Sequence, residues 1–181
     1  RIKGGLIEMT HAVVSNSSNN QSATNPELRA HWLAQIFGSL YASERGPFVA
    51  SRRRLLVRVV KHLEGGEMLS MTLRVVMADC HGVLVAEHSY GCFDPIRFLS
   101  GTRIGRYVSV GPDVAVYRRN HPLDRLSLHP YFYRPEVSGE SLCDVETTPL
   151  FIDDGAWVGA RAILLPGCRR IGQGAVIAAG A

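Results

Sequence analysis

The strongest constraint on this chain is a period of six. Placed at the first position of successive six-residue units, Phe98, Ile104, Val110 and Val116 fall in one register, and Ile152, Val158, Leu164, Ile171 and Ile177 resume it with one extra residue near Arg169 and Arg170. Small or compact residues recur at the fifth position (Thr102, Val108 and Val114, then Ala156, Ala162, Cys168, Ala175 and Ala181), and glycine often holds the second (Gly105, Gly111, Gly159, Gly172). The fragment Val85-Ala86-Glu87-His88-Ser89 matches the same template upstream. An amphipathic helix repeats near 3.6 residues and a half-buried strand at two, so neither produces this pattern. One large and one small inward side chain per unit, with a turn between units, fits the flat sides of a β-helix. There a unit buries its apolar face only by stacking on its neighbours.

Ahead of Gly82 the pattern is helical. Asn25, Pro26 and Glu27 supply a cap, a first-position proline and a first-turn acid. Leu28, Trp32, Ile36, Phe37 and Leu40 follow at helical spacing. A second helix is expected over Ser51 to Leu63, with Leu55, Leu56, Val59, Val60 and Leu63 on one face and Arg52, Arg53, Arg58 and Lys61 largely off it. Gly65-Gly66 ends it, and a third pattern runs from Met68 to Val76. The stretch SNSSNNQSATN at Ser15 to Asn25 is too polar to order itself, and Arg1 to Glu8, ahead of the first methionine, Met9, has the look of an expression remnant. The expected organisation is a lead-in over 1–25, a helical region over 26–81, and a repeat domain over 82–181 that carries a long loop at 117–151.

Bulk composition narrows the function. With 181 residues and 46% apolar content the chain can bury one core and a small second one. A net charge of +4 and a pI of about 9.1, without a nucleic-acid-binding motif, argue against nucleic acid and leave room for an anionic cofactor. Cys80, Cys92, Cys143 and Cys168 are scattered and form no framework, which reads as free thiols in a reducing compartment. With no apolar run of membrane-spanning length and no leader, the expectation is a soluble, cytoplasmic protein.

The segments IGRYVSVGPDVAV at Ile104 to Val116, RRNHPLD at Arg118 to Asp124, and WVGARAILLPGCRRIGQGAVIAAGA at Trp157 to Ala181 resemble the hexapeptide-repeat acyltransferases. Within that family they look like the branch of xenobiotic, galactoside and polysaccharide O-acetyltransferases. The resemblance covers about the C-terminal half. It implies a mainly β fold, a left-handed parallel β-helix with an N-terminal helical region and a protruding loop, assembled as a homotrimer with active sites at subunit interfaces. The family usually continues through another coil, a basic turn and a terminal helix. Ala181 falls mid-coil, which points to a truncated chain or a cofactor groove without its top.

Acetyl transfer to a hydroxyl needs a base for the hydroxyl proton, and a neutral imidazole suits that near pH 7. The long loop holds His121 and His129 among Tyr131, Phe132 and Tyr133. By the resemblance His121, between Asn120 and Pro122, is the catalytic base. Acetyl-CoA is then the co-substrate, with Trp157, Gly159, Ala160 and Ala179 as its contacts, and no metal is implied. His129 is the weaker candidate, expected to pack on the aromatics. The acceptor is expected to be a sugar hydroxyl in surface polysaccharide or lipopolysaccharide biosynthesis, with an antibiotic or small sugar as the alternative. Readings from other classes are a γ-carbonic-anhydrase-like metalloenzyme using His81, His88, His121 and His129, and a non-catalytic scaffold. The basic helix around Arg52 to Lys61 reads first as a solvated face, and peripheral membrane contact is its lesser reading.

Overall fold

The computed structural model describes residues 32–44, 48–125, 127–138 and 144–181. The lead-in over 1–25, the segment Arg1 to Glu8, the helix start at Asn25 to Glu27, Leu28 and Cys143 lie outside the described residues.

Among the described residues three helices come first: α1 (Trp32–Ala42), α2 (Val49–Leu63) and α3 (Met71–His81). α3 is the buried one. Ser70 caps it, its Oγ accepting from the Leu73 N–H at 3.2 Å, and Gly82 ends it in the left-handed conformation at φ 63°. Ser70 and Thr72 donate their hydroxyl hydrogens to the Glu64 carboxylate, both at 2.5 Å, which ties the end of α2 to the start of α3. The faces of α2 are not divided as its spacing predicts. Leu56 and Val60, with Val57, face Phe37 and Tyr41 of α1 and Leu73 and Val76 of α3, whereas Leu55, Val59 and Leu63 are exposed.

Arg74 joins the helices to the rest of the chain. Its guanidinium is buried and donates to the carbonyls of Ala86 at 3.1 Å, Met68 at 3.0 Å, Glu67 at 3.2 Å, Ser89 at 3.3 Å and Ser70, while lying 5.5 Å from the centre of the Phe93 ring. Desolvation lowers its pKa from the ordinary arginine value. Five carbonyl partners satisfy the cation, with the Glu87 and Glu64 carboxylates acting on it from farther off.

Among the described residues nine strands of two residues follow: β1 (Leu84–Val85), β2 (Arg103–Ile104), β3 (Ser109–Val110), β4 (Ala115–Val116), β5 (Phe151–Ile152), β6 (Trp157–Val158), β7 (Ile163–Leu164), β8 (Arg170–Ile171) and β9 (Val176–Ile177). They form three parallel sheets in the orders β1-β2-β5-β8, β3-β6-β9 and β4-β7. The register is strict: Ile104 pairs with Ile152 and Ile152 with Ile171, Val110 with Val158 and Val158 with Ile177, Val116 with Leu164.

This corrects the expected fold class. A mainly β chain built as a left-handed parallel β-helix is not what is seen: about 30% of the chain is helical. The strands make three small separate sheets rather than one closed or solenoidal β structure. The physical reason is that each six-residue unit spends two residues in a strand and the rest in turns, while the segment before Gly82 forms helices of 11, 15 and 11 residues.

The inward positions are nevertheless those the period marks. Phe98, Ile104, Val110, Ile152, Val158, Leu164 and Ile171 are buried, together with the fifth-position residues Thr102, Val108, Val114, Ala156 and Ala162. Second-position glycine has a reason as well. A Cβ on Gly111 would lie 2.6 Å from the Ala160 nitrogen, and one on Gly159 would lie 2.5 Å from the Ala179 nitrogen. The next layer of backbone occupies the space a side chain would need. Among the described residues no helix is long and apolar enough to cross a membrane.

Candidate functional site

The excursion between β4 and β5 is closed at its base by Arg118 and Thr148. Thr148 N–H donates to the Arg118 carbonyl at 2.8 Å, and the Arg118 Nε donates back to the Thr148 carbonyl. Arg118 is buried, its Nη1 reaching Thr102 Oγ1 at 2.6 Å, and desolvation lowers its pKa. A second tie lies farther out. Asp144 takes Arg119 at 2.9 Å and has Arg134 at 3.8 Å, and its carboxyl is held below the usual range, chiefly by the Val145 N–H. Two cross-links therefore fix a loop too long to be positioned by its ends alone.

Inside this frame His121 is exposed and oriented. Its Nδ1 lies 2.7 Å from the Leu128 carbonyl oxygen, a group that can only accept, so Nδ1 carries the ring hydrogen and Nε2 is the basic nitrogen. The Tyr133 Oη is 3.1 Å from the same Nδ1, and the two rings meet edge to face at 6.3 Å. Tyr133 is buried, with the Arg125 guanidinium 5.8 Å from its ring centre. The backbone carbonyl selects one tautomer of the exposed imidazole, and the buried Tyr133 ring packs edge-on against it.

His129 has a different task. Its Nδ1 accepts from the Tyr131 N–H at 3.2 Å, capping the short 3₁₀ turn Pro130–Phe132 that precedes α4 (Pro135–Ser138).

The other predicted site residues lie on the sheets. Trp157 is on β6, paired with Ser109 of β3 and Val176 of β9, and its ring is exposed. Gly159 is buried and spends its N–H on the Ile177 carbonyl at 2.8 Å. Ala160 and Ala179 sit at the turns that follow β6 and β9, where the Gly180 N–H donates to the Ala160 carbonyl at 2.9 Å. So Trp157, Ala160 and Ala179 present surface, while Gly159 serves the packing beneath them. Among the described residues no hydrogen bond or ring contact links this group to His121.

Tyr133, Arg118 and Asp144 are the residues that sequence reasoning passed over as parts of the site. Only the aromatic run around Tyr133 gave any signal. Cys80, Cys92 and Cys168 are unpaired, and burial pushes the Cys92 thiol up to about 12. Among the described residues no three His, Cys, Asp or Glu side chains converge as a metal centre would require.

Comparison with known proteins gives a limited relationship. The chain is 37% identical over 78 residues to a Schizosaccharomyces pombe protein provisionally named an acetyltransferase, a match covering 43% of this chain and 31% of that protein. The chain thus spans about a third of the length of the curated relative it matches. No family model matches the chain. No solved structure matches it either.

Proposed function

We propose that this protein is an acetyl-CoA-dependent O-acetyltransferase of the hexapeptide-repeat kind, acting on a sugar hydroxyl with His121 as general base. The observation that carries the reading is the Nδ1 contact to the Leu128 carbonyl, which leaves Nε2 as the proton acceptor. In the reaction the acceptor hydroxyl oxygen attacks the thioester carbonyl carbon as its proton passes to His121 Nε2. Collapse of the tetrahedral intermediate expels the CoA thiolate, which takes the proton from the imidazolium. The ring changes charge and does not change position, because Nδ1 stays bonded throughout.

The cofactor's narrow pantetheine arm suits the small residues Ala160, half-buried, and Ala179, exposed, beside Trp157, with Gly159 keeping the layers beneath them close. Since no hydrogen bond or ring contact among the described residues joins this surface to His121, a homotrimer in which one subunit's loop faces its neighbour's sheets would complete the site. A donor made in the cytoplasm places the reaction there. The choice of a surface polysaccharide or lipopolysaccharide sugar rests on the helical region joined to an Asn-His-Pro loop, and an antibiotic or small sugar is the alternative acceptor.

The test is acetyl transfer from acetyl-CoA to sugars, nucleotide sugars and chloramphenicol, with the wild-type chain and His121→Ala. The variant is expected to turn over about two to four orders of magnitude more slowly with an unchanged melting curve. Near-normal turnover in the variant would refute the assignment of the base.

A further inference from the structure

α2 has two apolar faces, and the fold uses one of them. Leu56, Val57 and Val60 face α1 and α3. Beside them along the helix Leu55 and Leu63 are each 60% exposed and Val59 is 38% exposed, at i, i+4 and i+8, and Phe48 at the head of the helix is 74% exposed. Three large apolar residues aligned along just over two turns, with a phenyl at the head of the helix, form a stripe rather than isolated surface leucines.

The charge around this stripe has one sign. Within Val49–Leu63 there are Arg52, Arg53, Arg54, Arg58 and Lys61 and no acidic residue. Some of these cations are engaged: Arg53 donates to the Tyr41 carbonyl at 2.9 Å and lies over the Tyr41 ring, Arg52 donates to the Ser43 carbonyl, and Lys61 pairs with Glu67. Arg54 and Arg58 are exposed on the flank of the stripe. Of the acids nearby, Glu64 bonds Ser70 and Thr72, Glu67 accepts from the Gly91 N–H at 2.7 Å as well as pairing with Lys61, and Glu44 lies 4.0 Å from Arg53, so none is paired with Arg54 or Arg58 among the described contacts.

We propose that this face of α2 docks on an anionic membrane surface, with the helix lying in the interface plane. Leu55, Val59, Leu63 and Phe48 would enter the acyl boundary while Arg54 and Arg58 meet anionic headgroups. Charge complementarity selects this occupant over a second copy, since two such faces in contact would set arginine against arginine. The proposal stands on the geometry of α2 and is independent of His121.

The experiment is flotation of the full chain with vesicles of phosphatidylcholine alone or with about 30% phosphatidylserine, at low and moderate salt. Wild type should float with the anionic vesicles and not the neutral ones. Leu55→Ser/Val59→Ser and Arg54→Gln/Arg58→Gln should each weaken retention, the second by about ten- to thirtyfold at one phosphate-scale contact per arginine. Melting curves confirm that the variants fold, since none of the four side chains is buried. Equal retention of wild type and both variants, equal retention on neutral vesicles, or no retention at all would overturn the proposal. So would an oligomer in solution that dissociates in the leucine variant, because the stripe would then be covered by another copy.

Discussion

Gly159→Ala adds one methyl group where the layers of the fold lie closest. Its Cβ would stand 2.5 Å from the Ala179 nitrogen and 2.8 Å from both the Ala178 carbonyl carbon and the Ala179 Cα, all backbone atoms. Contacts of that kind relax only past about 3.5 Å, so one strand-turn layer has to lift from the other by roughly an ångström. That movement stretches the Gly159 N–H bond to the Ile177 carbonyl, now 2.8 Å, which belongs to the ladder between β6 and β9. Overfilling a packed interior costs about 1–3 kcal/mol. For a chain of this size that corresponds to a fall in Tm of roughly 2–4 °C per kcal/mol. Gly172 is the internal control. It holds the same place in its unit, yet a Cβ there meets nothing within 4 Å, and Gly172→Ala should be neutral or stabilise by up to about 1 kcal/mol through the unfolded chain. Gly111→Ala, with its Cβ 2.6 Å from the Ala160 nitrogen, should behave like Gly159→Ala. Thermal and urea unfolding of the three variants measure this directly. If the Gly159 and Gly172 variants unfold alike, the close stacking of layers is not what glycine serves here.

Two further outcomes follow from the helical region. Arg74→Lys keeps the charge and loses the planar fork that reaches five carbonyls, so several buried acceptors lose their donor at about 1–3 kcal/mol each; a total loss under about 1 kcal/mol in urea unfolding would contradict the clasp. His81 Nε2 and the Tyr41 hydroxyl share a hydrogen bond at 2.9 Å, and desolvation, with Arg53 nearby, lowers the His81 pKa below the ordinary histidine value. A folded-state pKa below the unfolded one means the unfolded chain binds the proton more readily. Stability from this group is therefore present above about pH 6.5 and is lost as pH falls through the histidine range. His81→Gln should flatten that acid limb of the stability profile, and an unchanged limb would rule His81 out as its source.

The register of the sheets was legible because it depends on side-chain size at fixed intervals. Val110 above Val158 above Ile177 is a column that only a six-residue spacing can build, and the glycines at 111 and 159 mark where layers touch. The amount of β structure was not legible. Four of every six residues turn corners, and the fourth position is left-handed even without glycine, at Tyr107, Asp113 and Arg161 with φ between 56° and 59°. A repeat that spends so little of itself in strands looks more β-rich in sequence than in structure. The division of α2 failed for a different reason. Leu55 and Leu56 are adjacent and equally apolar, and only the position of α1 and α3 decides that Leu56 is the one covered.

The site shows the same boundary between what side chains encode and what backbone supplies. His121 stood out because of its neighbours, Asn120 and Pro122. What sets its tautomer is the carbonyl of Leu128, and every residue has a carbonyl, so no residue type could have announced it. That carbonyl reaches Nδ1 because the loop returns on itself, and the loop returns because Arg118 holds Thr148 across 30 residues while Asp144 holds Arg119 across 25. Each tie joins residues that are unremarkable where they stand in the chain. One side chain thus supplies the imidazole, and the closure of the loop around it decides which ring nitrogen is left without a hydrogen. Exchanging Leu128 for another residue that keeps the turn should leave the imidazole's orientation intact, whereas releasing Arg118 should not.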